Sequence, residues 1–425
     1  MLKVAVIGAG ISGISASYHL QKFAEVTLFE KNDAIGGHAN TVSITDDETG
    51  SISVDTGFIV FNDRNYPGFS QFLSELGIQF VKTDMTFSFT NCKSGFSYAG
   101  SLRGLFPEIK DLFNMARLKF LKNVLKYSKH LQQNSLACIG NDLTINDALR
   151  KSGCPEDVIT QYFVPLASAI WSCSGEDAGN VPIDSFVTFF NNHGLFDLTG
   201  RPNWYSVKGG SKSYIDAFKK SFKGIIFCNS EVNNISKNIN KRYEVQTVQG
   251  SYSEYDSIVF ATHANDSIEM LKTFEDINTE IMDVLHTYRF TQNQVVLHED
   301  TTFLPSNYRL WSSWNVKSDP LLSGGNIGQT TYFMNRLQKL NTDRKLLVTL
   351  NPITQPKEST VLYRTSFSHP VLTSTLQDLG CKFEILNSQD KMYFCGAYTG
   401  YGFHEDGYQS GYRVSEVIKK YEHLS

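Results

Sequence analysis

The stretch LKVAVIGAGISGISASYHLQKFAEVTLFE, residues 2–30, decides the fold. β-Branched and small apolar residues at 4–7 lead into Gly8-Ala9-Gly10-Ile11-Ser12-Gly13. A helix-like segment follows, and a second apolar run at 26–29 ends in Glu30. Each part has a physical role in holding a dinucleotide. Gly8 permits the tight turn off the strand, Gly10 lets backbone approach a pyrophosphate with no Cβ in the way, and Gly13 lets the helix lie close to the sheet. Ala9, Ile11 and Ser12 complete the loop. The helix N-terminus offers free N–H groups and the positive end of its dipole to phosphates. Glu30 lies about 20 residues beyond Gly10, at the tip of the second strand, where a carboxylate accepts hydrogen bonds from ribose hydroxyls. A glycine turn alone is weak evidence. The strand before it, the helix after it and the acid at the right distance make a full fingerprint.

Bulk properties narrow the rest. A chain of 425 residues suits two domains, or one domain interrupted by another. A net charge of −4 carries no nucleic-acid signature. Seven cysteines without CxxC spacing indicate neither a zinc site nor a disulfide framework. The dinucleotide strand begins at residue 2, which leaves no room for a signal peptide. No apolar run reaches about 18 residues, so no membrane-spanning helix is expected and the cytoplasm is the expected location. Aromatic content is 13%, with 30 Phe and 20 Tyr, which suits a filled core and also an apolar substrate tunnel.

Beyond Glu30 the chain reads Lys31-Asn32-Asp33-Ala34-Ile35-Gly36-Gly37-His38 and then reaches Thr41. The second glycine pair resembles that of flavoproteins in the amine oxidase, phytoene desaturase and protoporphyrinogen oxidase superfamily, where it lets a loop run close to FAD. The resemblance implies FAD as cofactor. It also implies an α/β fold, in which a discontinuous Rossmann-type FAD domain carries an inserted α+β substrate domain. The VDTGFIV stretch at 54–60 resembles an element that passes beneath the flavin, which assigns Gly57, Phe58 and Ile59 to the cofactor. Val232 occupies the place whose backbone meets the adenine in that superfamily, and Ala261-Thr262-His263 resembles the strand-end turn that closes on FAD. The last motif is Phe394-Cys395-Gly396-Ala397 followed by Gly402-Phe403-His404-Glu405-Asp406-Gly407. It is similar to the terminal flavin element of amine oxidases. A helix N-terminus there stabilises the negative charge that two-electron reduction puts on the isoalloxazine. His404, Glu405 and Asp406 are thus expected to act mainly through backbone, with the acids also capping the helix. Adjacent residues on one turn rarely converge on an ion, so no metal site is expected.

This assigns residues 1–65, 201–265 and 385–425 to the FAD domain, and 66–200 and 266–384 to the substrate domain. Residues 40–60 read as strands around the turn Asp46-Asp47-Glu48-Thr49-Gly50, 66–77 as an amphipathic helix and 80–98 as a hairpin region. Residues 110–133 form a long helical pattern. Lys110, Arg117, Lys119, Lys122, Lys126 and Lys129 stand against the single acid Asp111, and Phe113, Ala116, Phe120, Val124, Tyr127 and Leu131 share one apolar face. Such a helix can lie on an anionic membrane surface or pack with a solvated basic face. Residues 163–172 are uncharged and expected to be buried near the substrate. Residues 225–232 read as one strand, and 243–248, 251–255 and 257–261 as a small β-layer.

The whole chain resembles more closely still a bacterial family described as NAD/FAD-binding proteins. The stretches that carry this are GGHANTV (36–42), VDTGFIVFN (54–62), AIWS (169–172), LHED (297–300), SWN (313–315), MNRLQ (334–338), LNP (350–352) and GFHEDG (402–407). That family is linked with cyclopropane-fatty-acid synthase-like methyltransferases, which implies lipid chemistry. Departures from amine oxidases point the same way. Their Gly-Gly-Arg is Gly36-Gly37-His38 here, no lysine lies between Tyr288 and Leu297, and no Ser-Gly-Gly-Cys-Tyr stretch precedes the terminal motif. The expected activity is oxidation of an apolar, fatty-acyl or other lipid, substrate by noncovalent FAD. His298 is the first candidate for proton transfer and His263 the second. An amine oxidase is the alternative enzyme, and a non-catalytic flavoprotein partner of a lipid methyltransferase is the alternative from another class. Expected partners are the small apolar substrate and, through the basic helix, an anionic membrane.

Overall fold

The computed structural model describes residues 1–47, 50–133, 143–197, 200–274, 276–318, 328–389 and 391–421. Glu48 and Thr49 of the expected turn lie outside them. Among the described residues, the strands Ile225–Phe227, Ala24–Phe29, Leu2–Ile7, Ser257–Phe260 and Met392–Phe394 lie side by side in that order, every neighbouring pair parallel. Parallel strands are joined by crossovers that cover both faces, so they are apolar without alternation. Val4, Ala5 and Val6 are accordingly buried, as are all four residues of Ser257–Phe260. The chain passes from Leu2–Ile7 to one side of the sheet and then returns to the other with Ser257–Phe260. That reversal opens a crevice beyond the carboxyl ends of these two strands, where doubly wound sheets bind ligands.

A second, mixed sheet runs Val361–Pro370, Phe290–His298, Leu347–Leu350, Gly328–Phe333, Trp314–Ser318, Phe87–Asn91 and Ser97–Ala99. Its pairs are antiparallel except that of Trp314–Ser318 with Phe87–Asn91. The helices Met115–Gln133, Val164–Trp171 and Ile183–Asn192 bury Phe120, Tyr127, Ala167, Trp171, Phe186 and Phe190 in one core with Phe89 and Val316 of this sheet. The helix Pro67–Glu75 joins the other layer, where Phe69, Phe72 and Leu73 pack in one core with Val4, Val6 and Val414.

Four expectations about elements are corrected. Residues 225–232 do not form one strand: Ile225–Phe227 joins the parallel sheet, the chain turns through Asn229 at φ +53, and Val232–Lys237 opens a separate sheet with Tyr243–Thr247 and Gly250–Tyr255. Ser257–Phe260 belongs to the parallel sheet and not to that small layer. Phe80–Lys82 pairs with Trp204–Val207, while Phe87–Asn91 and Ser97–Ala99 make the hairpin. The basic helix is also shorter than its pattern. Ile109–Phe113 is a 3₁₀ turn, and the helix runs Met115–Gln133. Arg117 turns inward to pair with buried Asp111 at 3.5 Å, which leaves Phe113 and Ala116 exposed instead of on the apolar face.

Candidate functional site: the crevice at the sheet reversal

Four strand ends are tied together at the crevice. Gly8 donates its N–H to Phe29 (2.8 Å), Ala261 to Ile7 (2.8 Å) and Glu30 to Phe227 (2.8 Å). Gly8 has φ +96, and a Cβ there would lie 2.7 Å from the Ala261 carbonyl oxygen. A Cβ on Gly13 would run into the Gly8 carbonyl, so the helix Ile11–Leu20 can sit this close only with glycine. Gly10 differs: an added Cβ would meet nothing within 4 Å. The first and third glycines thus serve the chain's own packing, while the second faces open space at a helix N-terminus, where a pyrophosphate fits. Ile11 and Ser12 are buried at the start of that helix.

Glu30 is buried and tied to the loop. Its Oε2 accepts the Ala9 N–H (2.9 Å), and its Oε1 accepts the N–H (3.0 Å) and side-chain amide (2.7 Å) of Asn32. A carboxylate has about four lone-pair sites, so binding both hydroxyls of a ribose requires the Asn32 amide to move aside. Lys31 points across to Asp266, 3.9 Å away and half exposed.

The second glycine pair closes the floor. Gly36 donates to the Ala9 carbonyl (2.8 Å), and Gly37, at φ +58, brings its chain against Gly10. The His38 carbonyl accepts from Phe58 N–H (2.7 Å), and a Cβ on Gly57 would collide with that same carbonyl. Ile59 packs on the cluster around Val54 and Leu297. Thr41 is committed elsewhere. Its hydroxyl donates to Asp55 (2.5 Å) and accepts from Lys212 N–H (2.9 Å). Asp55 also takes bonds from Ser211 N–H and Oγ and from Gln338 Nε2, and burial pushes its pKa up to about 6 against the pull of these donors. This buried clasp joins the floor to the Lys212–Ser221 helix and to the second sheet. It was missed from sequence although Asp55 stands in the quoted VDTG.

On the other side, Val232 is buried where its strand pairs with Thr247, and the Thr262 hydroxyl meets Ser267 Oγ at 2.9 Å. His263 sits at the N-cap position of the helix Ala264–Leu271, with no side-chain bond to that helix. Its ring lies 4.7 Å from Phe290 and 6.2 Å from His38, which in turn is 5.0 Å from His369 and stacks on Phe367. Burial lowers the pKa of all three histidines, that of His369 to about 4. His369, held by Asn293 at 2.8 Å, carries no sequence motif.

The terminal element completes the crevice. Gly396 donates to Ser410 Oγ (3.0 Å), and the Ala397 carbonyl accepts from Gly400 and Gly402 (both 3.1 Å). His404, the first residue of the helix His404–Tyr421, stacks on Phe58 at 3.7 Å and bonds Tyr214 Oη at 2.8 Å. Burial holds its pKa down to about 3. Its ring is thus locked inside the protein, and its N–H belongs to the free first turn of a helix. Asp406 caps its own helix through Phe403 N–H (2.9 Å), and burial raises it to about 7. Glu405 instead caps a different helix, accepting from Gly68 (2.9 Å) and Phe69 (2.8 Å) at the start of Pro67–Glu75, which corrects the expectation that both acids cap the terminal helix. Phe403 stacks on Phe189 at 4.9 Å, and Phe189 faces Trp171 at 5.2 Å and Tyr401 at 5.5 Å. Trp171 Nε1 and the hydroxyls of Tyr288 and Tyr398 are buried without a hydrogen-bond partner among the described residues. Other buried polar atoms of the described residues, such as Ser17 Oγ and Thr90 Oγ1, are left in the same way, but the rings of Tyr288 and Tyr398 lie 4.6 Å apart beside Phe290, where they suit a polar ring system.

His298 is not part of this arrangement. It closes the far end of the strand that begins at Phe290, on the order of 26 Å away at the rise of an extended chain. It is fully buried, Nε2 bonded to Thr349 Oγ1 (2.8 Å) and Nδ1 accepting Asp300 N–H (3.1 Å), with burial lowering it to about 4. Both ring nitrogens are consumed, so the expectation that His298 transfers a proton is corrected.

The model of flavin-containing amine oxidoreductases matches residues 11–279. The chain belongs to this family. The amine oxidoreductase fold carries FAD as cofactor, and the protein is an FAD-dependent oxidoreductase. Among solved structures it is similar to cyclohexylamine oxidase from Brevibacterium oxydans IH-35A, at 15% identity, 99% of each chain covered and a TM-score of 0.67. It is likewise similar to putrescine oxidase bound to putrescine (14%, 99% of each chain, 0.66) and to a CLA-producing fatty acid isomerase from P. acnes (12%, 98% of each chain, 0.63). At these identities the likeness is one of fold. A search of curated protein sequences found no match.

Proposed function

We propose that this enzyme oxidises an apolar substrate, a fatty-acyl chain or another lipid, with FAD held noncovalently. The observation that carries the reading is the aromatic wall beside the terminal helix. Phe403, Phe189, Trp171 and Tyr401 stand together there, and both carboxylates in the first turn of that helix, Glu405 and Asp406, are already taken by backbone N–H groups. An ammonium substrate gains from a charge partner, whereas an acyl chain gains about 0.8 kcal/mol for each CH₂ buried against such rings. The fold is common to a fatty acid isomerase and to amine oxidases, so it admits either substrate, and the motifs that resemble those of a bacterial family linked to lipid methyltransferases favour the lipid. Cys395 lies buried in the core under the parallel sheet, where burial holds its thiol protonated, so it is not poised to attach a flavin.

FAD bound in the crevice would supply the acceptor for a hydride from the substrate carbon. Residues 8–13 with Gly36 and Gly37 would hold its pyrophosphate, Glu30 its ribose and the backbone at Val232 its adenine. Gly57, Phe58, Gly396 and the N–H groups of residues 404–406 would hold the isoalloxazine. His263 is the proposed proton acceptor. Burial holds it below the ordinary histidine range, with Asp266 pulling the other way, so it is a neutral base at pH 7. We assign the cofactor to segments 1–65, 201–265 and 385–425 and the substrate to 66–200 and 266–384, with Tyr401 and Phe403 of the terminal segment added to its aromatic wall. The test is turnover with a lipid extract. Mass spectrometry should find an acyl chain lighter by one H₂, and acid precipitation should leave FAD in solution. Unchanged lipids beside oxidised simple amines would overturn the substrate class.

A further inference from the structure

The turn Ile109–Phe113 is built inside out. Its acid, Asp111, is buried, accepts from Glu108 N–H (2.9 Å) and pairs with buried Arg117. Arg117 also donates to the carbonyls of Ser97 and Leu105 (both 3.0 Å) and lies over the Phe96 ring. With Asp111 and Arg117 anchored inward and Lys110 paired with Glu108 at the surface (2.6 Å), the turn presents its apolar side chains to solvent: Ile109 and Phe113 are each 79% exposed, and Leu112 and Met115 are exposed beside them. A solvent-facing cluster of this kind marks an interaction surface.

The surroundings of the cluster identify its partner. The helix Met115–Gln133 contains no acid, and its outward face mixes Leu118 and Leu125 with Lys119, Lys122, Lys126 and Lys129, although the whole chain carries −4. Next to the turn opens a cleft of about 730 Å³ lined by Arg103, Arg309, Arg336, Phe106, Tyr308 and Trp311. Among the described residues that line it the one acid is Asp84, 3.8 Å from Arg336, and Arg309 is bonded to Pro107 just before the turn (2.8 Å). Apolar side chains at the tip, lysines with long apolar stems around them and arginines behind match the layering of a bilayer surface: acyl chains, then phosphates. An acidic protein would complement the charge but not four exposed apolar side chains at one point. No helix among the described residues is long and apolar enough to cross a membrane.

We propose that this face docks the enzyme on an anionic phospholipid bilayer. Ile109, Leu112, Phe113 and Met115 enter below the headgroups, Lys119, Lys122 and Lys126 meet lipid phosphates, and the arginine cleft takes a headgroup phosphate. This stands independently of the substrate reading. The test is sedimentation of the flavin-loaded full chain with vesicles of phosphatidylcholine alone or mixed with phosphatidylglycerol, at low and high salt. Binding should require phosphatidylglycerol and weaken with salt. Replacing Lys119, Lys122 and Lys126 by Gln should weaken it on the order of a hundredfold. The pair Ile109→Asp and Phe113→Asp should weaken it at least about tenfold while flavin content and Tm stay unchanged, since both side chains are solvent-facing. Absence of binding to phosphatidylglycerol vesicles would overturn the proposal, as would equal binding by the Asp pair. Concentration-dependent dimerisation abolished by the Asp pair, without vesicle binding, would assign the surface to a second copy of the chain and overturn the membrane.

Discussion

In the seven-stranded sheet, His298, Thr349 and Thr331 pass hydrogen bonds from one to the next at 2.8 and 2.9 Å in full burial, and Asn315 joins Ser88 and Ser312 in the same way. At the crevice, Gly10 faces open space, a helix begins at His404, and the hydroxyls of Tyr288 and Tyr398 are buried without a hydrogen-bond partner among the described residues, as Thr90 Oγ1 and Trp314 Nε1 of the sheet also are. Each region buries histidine and holds it neutral, but for different ends. Where the chain satisfies its own polar groups it specifies a fold. Where it leaves them open beside a glycine floor, it is made for something that is not protein. His298 and His263 are the two sides of that contrast.

The largest effect should come from Gly10→Val. Because an added Cβ meets nothing in the protein, the variant should fold with an unchanged apoprotein Tm yet purify without FAD, read as flavin absorbance per chain. A lost Tm would mean that Gly10, like Gly13, serves packing. Next is the histidine pair. His263→Ala should lower kcat/KM about a hundredfold or more, whereas His298→Ala should leave kinetics alone and lower Tm, since it strands the buried Asp300 N–H at about 1–3 kcal/mol and leaves the Thr349 hydroxyl with Thr331 alone. The reverse outcome would exchange their roles. In the parent enzyme, activity should be lost as pH falls through the pKa of His263, on the acid side of the ordinary value near 6.5, because the protonated ring cannot accept a proton. The smallest effect is expected of Glu30→Ala. With Ala9 and Asn32 already occupying three of its lone-pair sites, the FAD dissociation constant should rise roughly tenfold. No change would mean that the carboxylate only ties down the loop.

The parallel sheet and its crevice were legible in sequence because backbone contact leaves a signature there. A glycine is required wherever chain meets chain or chain meets phosphate, and Gly8, Gly13, Gly36, Gly37 and Gly57 each sit at such a point. Side-chain roles were less legible because they depend on where a strand ends in space. His298 and His369 lie on neighbouring strands of one sheet, yet only His369 reaches the crevice. Glu405 looked like a cap for its own helix, but its target, Pro67–Glu75, is more than 300 residues earlier in the chain. Asp55 and Arg117 were visible as residues; their partners were not, since ion pairs and hydrogen-bond clasps have no sequence period.

The central claim is tested most directly by mixing the oxidised, flavin-loaded enzyme with candidate substrates under anaerobic conditions and following loss of flavin absorbance in a single turnover. Long-chain acyl lipids should bleach the flavin, faster as the chain lengthens until the aromatic wall is filled, and His263→Ala should slow that step while His298→Ala should not. Rapid bleaching by putrescine or cyclohexylamine, with acyl lipids inert at every chain length, would contradict the account.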